Sequence, residues 1–263
     1  MIWQPPFVIV LIMDPMITTP VKFALVTGVN QGVGHEVAGL LLKHGLKVYG
    51  LSRTQPDFVN NSFIWLECDL SDEDSIKNII PKIMEMRLDL LVCNADTAVE
   101  EPAVAISQRS FDTTYKLNVL APMLLVRELY SRLHGGVIIN ISSVSDRLMD
   151  KNYGLYSSSK AASTSYFETL ALELTDAKVY SLHPSYVDTP LLRQLKQNSS
   201  FDWSKTMQAW QIALFVHKLY RQELSLPSGS NIVVVNNALE TDAKNAEKLY
   251  IYNVETLRLN EIL

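Results

Sequence analysis

Residues Phe23 to Gly34 read FALVTGVNQGVG, and this stretch decides the fold. Its first four residues, Phe23–Val26, form a short apolar run suited to a strand buried on both faces. From Val33 to His44 apolar residues recur at helical spacing, and Gly45 supplies a C-terminal stop. Between the two stand Gly28, Gly32 and Gly34, spaced G-x-x-x-G-x-G. Glycine there permits a tight turn, lets backbone approach a pyrophosphate and lets the helix pack closely on the strand. The helix N-terminus then turns unpaired N–H groups toward the phosphates. The chain holds only 10 glycines in 263 residues, well under the usual level of about 7%, so their clustering carries weight. Gly28, Asn30, Gln31, Gly32, Val33 and Gly34 are the candidate phosphate-contacting residues.

The alternation continues outward. Further short runs rich in β-branched residues occur at Leu46–Leu51, Phe63–Cys68, Leu88–Cys93, Val137–Ile141, Ala177–Leu182 and Asn231–Val235. Helical patterns separate most of them. One follows Ser71, whose acidic neighbours Asp72, Glu73 and Asp74 suit a helix N-terminus. Others span Ser110–Leu133 and Tyr156–Leu174. The reading is a single doubly wound α/β domain of Rossmann type: a parallel sheet of about seven strands with helices on both faces. Residues 1–20 form an N-terminal arm, 21–240 the dinucleotide-binding and catalytic body, and 241–263 a C-terminal tail. The longer insertion at 190–230 is expected to act as a lid.

Composition narrows the function classes. Net charge is −5 and no basic block stands out, which excludes an electrostatic nucleic-acid footprint. Two cysteines, Cys68 and Cys93, do not make a disulfide framework and read as buried thiols, consistent with a cytoplasmic location. The apolar stretch Phe7–Met13 is seven residues long, where a membrane helix needs about 20. It also lacks the basic start of a signal peptide. It is read as a docked or loose arm, with Met13 or Met16 as alternative starts, and no membrane partner is expected.

Two further sites carry chemistry. The second strand ends at Ser52-Arg53, where an NAD site places an acidic residue for the ribose hydroxyls. A hydroxyl and a guanidinium suit a 2′-phosphate instead, so NADP (NADPH) is expected and NAD is the lesser alternative. Tyr156 and Lys160 are four residues apart at the start of a helix, on one face. A free phenol titrates near pH 10; a neighbouring ammonium favours the phenolate and brings it toward working range.

Taken with Asn94, Asn118 and Ser143, these residues resemble the short-chain dehydrogenase/reductase family over roughly residues 22–236. The resemblance implies hydride transfer between NADP(H) and a carbonyl or alcohol. Tyr156 would be the general acid/base, Ser143 would align the carbonyl, Lys160 would tune Tyr156 and hold the nicotinamide ribose, and Asn118 would position a water. It further assigns cofactor contacts to Asp69, Leu70, Asn94, Ala95, Pro184, Val187 and Thr189. Family members commonly pair the helix here at Ser110–Leu133, which implies a homodimer or homotetramer.

There are departures. The family's N-N-A-G reads Cys93-Asn94-Ala95-Asp96, and Ser185 stands for a glycine in Pro184-Ser185-Tyr186-Val187-Asp188-Thr189. Asp96 is expected to bring a carboxylate near the cofactor, and Ser185 to alter the loop. Asn30-Gln31 lacks a basic residue, so the NADP reading leans on Arg53. Tyr153 offers a rival pairing with Lys160 but is read as flanking the substrate pocket. The alternative function is a non-catalytic NADP(H)-binding sensor or interaction protein on the same fold.

Overall fold

A computed structural model describes residues 22–83, 87–148, 150–197 and 199–236, together with the backbone of 249–253 and 258–262. The N-terminal arm lies outside the described residues. The first strand, β1 (Phe23–Thr27), sits in the middle of the sheet and leads into α1 (Gly32–Lys43). On one side of it lie β2 (Lys47–Ser52) and β3 (Phe63–Glu67). On the other lie β4 (Leu90–Cys93), β5 (Val137–Ile141), β6 (Lys178–Pro184) and β9 (Ser230–Val235). All seven run parallel, in the order β3-β2-β1-β4-β5-β6-β9. The winding reverses between β1 and β4, and the loops after those strands open the crevice where such sheets bind ligands.

Strand alternation explains the two helical layers. Ala24 and Val26 face one core with Val37, Ala38 and Leu41 of α1 and with Ile212, Phe215 and Val216 of α7 (Ala209–Tyr220). Leu25 faces the other, with Ile76 of α2 (Glu73–Ile79), Leu124, Leu125 and Leu129 of α4 (Ala121–Leu129) and Phe167 of α5 (Gly154–Glu173). Each fully buried aliphatic or aromatic side chain contributes roughly 1.5–3 kcal/mol, so cover on both faces is the main support of the sheet. Cys68 and Cys93 are both free and buried.

Several expected elements differ in detail. The helix expected across Ser110–Leu133 is α3 (Gln108–Tyr115), a π-turn over Lys116–Leu120, then α4 and a short 3₁₀ turn, Tyr130–Arg132. Pro122 has no N–H for the carbonyl of residue 118, and the i→i+5 bond from Ala121 to Lys116 takes up the slack. Most of the apolar residues on this run, Leu124, Leu125, Val126, Leu129 and Leu133, are spent on the chain's own core.

The segment 190–230 is not uniform. It contains α6 (Pro190–Lys196) and a 3₁₀ turn (Trp203–Lys205) near the crevice, but α7 belongs to the helical layer against α1. Between them β8 (Met207–Gln208) pairs with β7 (Val187–Asp188). The tail extends the sheet: β10 (Leu249–Asn253) runs parallel to β9, and β11 (Arg258–Ile262) closes antiparallel on β10. Among the described residues the sheet therefore has nine strands, seven of them the expected parallel set.

Candidate active site

The glycine turn is built for close approach. Gly28 and Gly32 have φ of +72° and +62°, the left-handed region that side chains avoid. A Cβ on Gly34 would stand 2.4 Å from the Gly28 carbonyl oxygen. Gln31, at the N-cap of α1, makes no side-chain cap bond, so the first N–H groups of the helix have no internal cap. Asn30 and Gln31 are exposed beside them and Val33 is half-buried. Behind the turn, Asn94 Nδ2 donates to the Thr27 carbonyl at 2.9 Å, while Asn94 N and Ala95 N donate to Thr27 Oγ1 at 2.8 and 2.9 Å. Across it, a Cβ on Gly32 would stand 3.3 Å from Thr189 Cγ2. Early and late parts of the chain thus close on one crevice. An uncapped helix N-terminus behind a turn that tolerates no Cβ fits the pyrophosphate of a dinucleotide.

At the end of β2, Ser52 Oγ donates to the Thr54 carbonyl at 2.7 Å and accepts from Trp65 Nε1 at 3.1 Å. Its one proton is thereby used, which leaves exposed Arg53 as the group of the pair with donors to offer a phosphate. Asp69, after β3, accepts from Ser71 N and Ser71 Oγ at 2.9 and 2.7 Å, and those bonds hold its carboxyl below the usual range. Leu70 is buried and lines a small cavity with Thr27, Ala95, Asn118 and Lys160. Pro184 and Val187 are buried at the end of β6 and in β7. Ser185 donates its N–H to the Val234 carbonyl at 3.0 Å. Neither Ser185 nor Asp96 has a positive φ. Ser185 therefore sits without backbone strain.

The catalytic candidates converge where β4, β5 and α5 meet. Tyr156 and Lys160 lie one turn apart on α5, with Lys160 Nζ 5.5 Å from the Tyr156 ring centroid. The Lys160 side chain is 4% exposed and its Nζ donates to the Ile141 carbonyl at 3.0 Å. Ser143 follows β5, accepts from Ser145 N at 3.1 Å and acts to lower the Tyr156 phenol's pKa. Asn118 sits in the π-turn and is held on three sides. Its Oδ1 accepts from Thr97 N, and its Nδ2 donates to the Thr97 carbonyl and to Ser159 Oγ, each at 2.9 Å. Tyr153 points elsewhere: its hydroxyl donates to Glu100 at 3.3 Å and Lys196 Nζ lies over its ring at 4.6 Å. The pairing with Lys160 belongs to Tyr156.

Asp96 enters this cluster. Its Oδ2 is 2.8 Å from Lys160 Nζ and accepts from the Tyr156 hydroxyl at 3.4 Å. Its carboxylate thus faces the proton-transfer residues. Burial, followed by the Asp96 charge, pushes the Tyr156 phenol well above its ordinary value, against a smaller opposing effect of Ser143.

The sequence pattern also missed the support beneath Ser143. Asp146 Oδ2 lies 3.0 Å from His183 Nδ1 on β6 and accepts from Thr164 Oγ1 at 3.0 Å, with both the Asp146 and His183 side chains almost fully buried. Thr164 in turn meets Ser142 Oγ at 2.8 Å, and His183 Nε2 lies 3.1 Å from Asn231 Oδ1. No spacing rule joins these positions, because the turn after β5, helix α5 and the strands β6 and β9 bring them together.

The model of the short-chain dehydrogenase family matches residues 22–200. The chain belongs to the short-chain dehydrogenase/reductase family. Its relatives include the chicken (Gallus gallus) "Dehydrogenase/reductase SDR family member 11", 30% identical over 201 residues, covering 67% of this chain and 79% of that protein. Bovine (Bos taurus) L-xylulose reductase is 30% identical over 182 residues, covering 64% and 72%. A short-chain dehydrogenase family structure from Francisella tularensis superposes with a TM-score of 0.76 at 24% identity, over 81% of this chain and 97% of that one. It is a family of oxidoreductases built on a Rossmann nucleotide-binding fold. Among the described residues no helix is long and apolar enough to cross a membrane.

Proposed function

We propose that the protein is an NADP-dependent reductase of small carbonyl compounds, with Tyr156 as the proton-transferring residue. The observation that carries this is Tyr156 and Lys160 converging with Ser143 beside the glycine turn. When bound, the nicotinamide supplies the hydride. Gly28, Gly32, Val33 and Gly34 would hold the pyrophosphate, with Asn30 and Gln31 at its rim and Arg53 on the 2′-phosphate. Asp69 and Leu70 would contact the adenine, and Asn94 and Ala95 the adjoining ribose. Pro184, Val187 and Thr189 would contact the nicotinamide end. Ser143 would donate to the substrate oxygen and align it, and Tyr156 would give that oxygen its proton. The cavity shared by Asn118 and Lys160 would let a water link the ammonium to solvent.

Polar groups at the crevice mouth favour hydroxylated carbonyl substrates. Tyr186 donates to Asp150 at 3.1 Å, and Tyr153 reaches Glu100. That chemistry suits a small keto-sugar of the kind named by the bovine relative. Residues 190–206 would close over it as a lid. Homodimer or homotetramer assembly and a cytoplasmic location complete the reading.

The test is NADPH consumption across aldehydes, ketones, diketones and ketoses, with Tyr156→Phe alongside. Turnover that Tyr156→Phe abolishes while NADPH still binds is the expected result. Undiminished turnover in that variant overturns the assignment of Tyr156. The Asp96–Lys160 pair favours a second reading, a nucleotide-binding sensor without turnover. Tight NADPH binding with no substrate in the panel would select it.

A further inference from the structure

We propose that Asp96 is a positioning residue of the proton-transfer site, taking Lys160 as its counter-ion and biasing Tyr156 toward the proton-donating phenol. The proposal rests on the reading of Tyr156 and Lys160 given above. Family members with glycine at this position bring no carboxylate here; this chain does. One oxygen of Asp96 sits 2.8 Å from the Lys160 ammonium and 3.4 Å from the Tyr156 hydroxyl. Lys160 alone would favour the phenolate by opposite charge. With Asp96 in place, the phenol meets an ammonium whose charge is already paired, and a carboxylate that accepts from its own hydroxyl.

The remaining groups around the pair do not undo this. From the turn after β5 come the Ser143 hydroxyl, which favours the phenolate, and Asp146, which opposes it with His183 of β6 at its side. From α3, Tyr115 donates to Ser158 on α5. The π-turn presents neutral Asn118. Lys196, Glu100 and Asp150 gather around Tyr153 and Tyr186. The consequence is directional. Reduction starts with the phenol and breaks its O–H bond as the substrate oxygen takes the proton. Oxidation starts with the phenolate, which takes the alcohol proton. A site that keeps the phenol runs reduction across neutral pH and defers alcohol oxidation to alkaline pH.

The test is a phenolate titration of the full chain by ultraviolet difference absorbance. Tyr156 is isolated by subtracting Tyr156→Phe from wild type, and the double variant from Asp96→Asn. Asp96→Asn is expected to lower the Tyr156 titration by about 1–3 pH units, which is 10- to 1,000-fold more phenolate at a given pH. Asp96→Gly, which the backbone accepts, should do the same and serves if the asparagine variant folds poorly. Titration at the wild-type pH, or none below the pH of unfolding in either variant, overturns the proposal. This readout needs no turnover, so an inactive but titratable protein would sink the reductase reading and leave the electrostatic inference standing. In an active protein, the alkaline rise of alcohol oxidation should move down by the same interval.

Discussion

Gly34 shows how strictly a single residue can be fixed. An alanine methyl there would stand 2.4 Å from the Gly28 carbonyl oxygen and 2.5 Å from Asn94 Nδ2, and neither backbone nor the buried clamp on Thr27 can retreat. Gly34→Ala should destabilise the fold by about 1–3 kcal/mol, as overpacking does. It should also weaken NADPH binding more than tenfold, because the helix end moves. Urea denaturation and a fluorescence titration would measure both; wild-type values would show that the turn has slack. This glycine was legible because its type, spacing and place between strand and helix all agree. Asp96 was legible only as a departure. The sequence gives its neighbours along the chain, whereas its contacts with Lys160 and Tyr156 come from a helix some sixty positions on.

At the scale of elements, the strands and the helices of the sheet could be read because burial on two faces imposes apolar runs at their own period. The π-turn in the helix carrying Asn118 could not, since apolar periodicity hardly registers one extra residue per turn. Pro122 was the available signal, a helix-interior proline whose missing N–H must be absorbed somewhere. The Asp146–His183 pair was equally hidden, yet it ties the turn carrying Ser143 to β6. Asp146→Ala removes the carboxylate that faces His183 and Thr164 in a site closed to water. Removing one partner of such a pair costs about 3–5 kcal/mol. For a chain of this size that lowers the melting temperature by on the order of 10 °C. Differential scanning calorimetry would check it, and a drop of a degree or less would mean that the pair is dispensable.

At the scale of the molecule, the crevice joins parts that are far apart in sequence. Gly32 follows β1, Thr189 follows β7, and a methyl on Gly32 would meet the Thr189 side chain across the mouth of the sheet. A ligand that spans this seam binds the folded chain alone, so it stabilises the whole domain. At a hundredfold excess over its dissociation constant, NADPH should add about 2.7 kcal/mol, or roughly 5–10 °C. Which dinucleotide does so depends on the end of β2. Ser52 spends its proton on the Thr54 carbonyl, so on the proposed reading a 2′-phosphate would rely on Arg53. A charged hydrogen bond of this kind is worth about 1.5–3 kcal/mol. Arg53→Ala should therefore weaken NADPH by roughly 10- to 100-fold, by the same relation, and cut its thermal shift by about half or more. The shift produced by NADH, which carries no 2′-phosphate, should stay within a degree of wild type. Equal losses for both would remove Arg53 from the discrimination, while a larger NADH shift in wild type would reverse the cofactor preference. The exposed position of Arg53 sharpens the comparison, because its removal leaves the core and the glycine turn untouched.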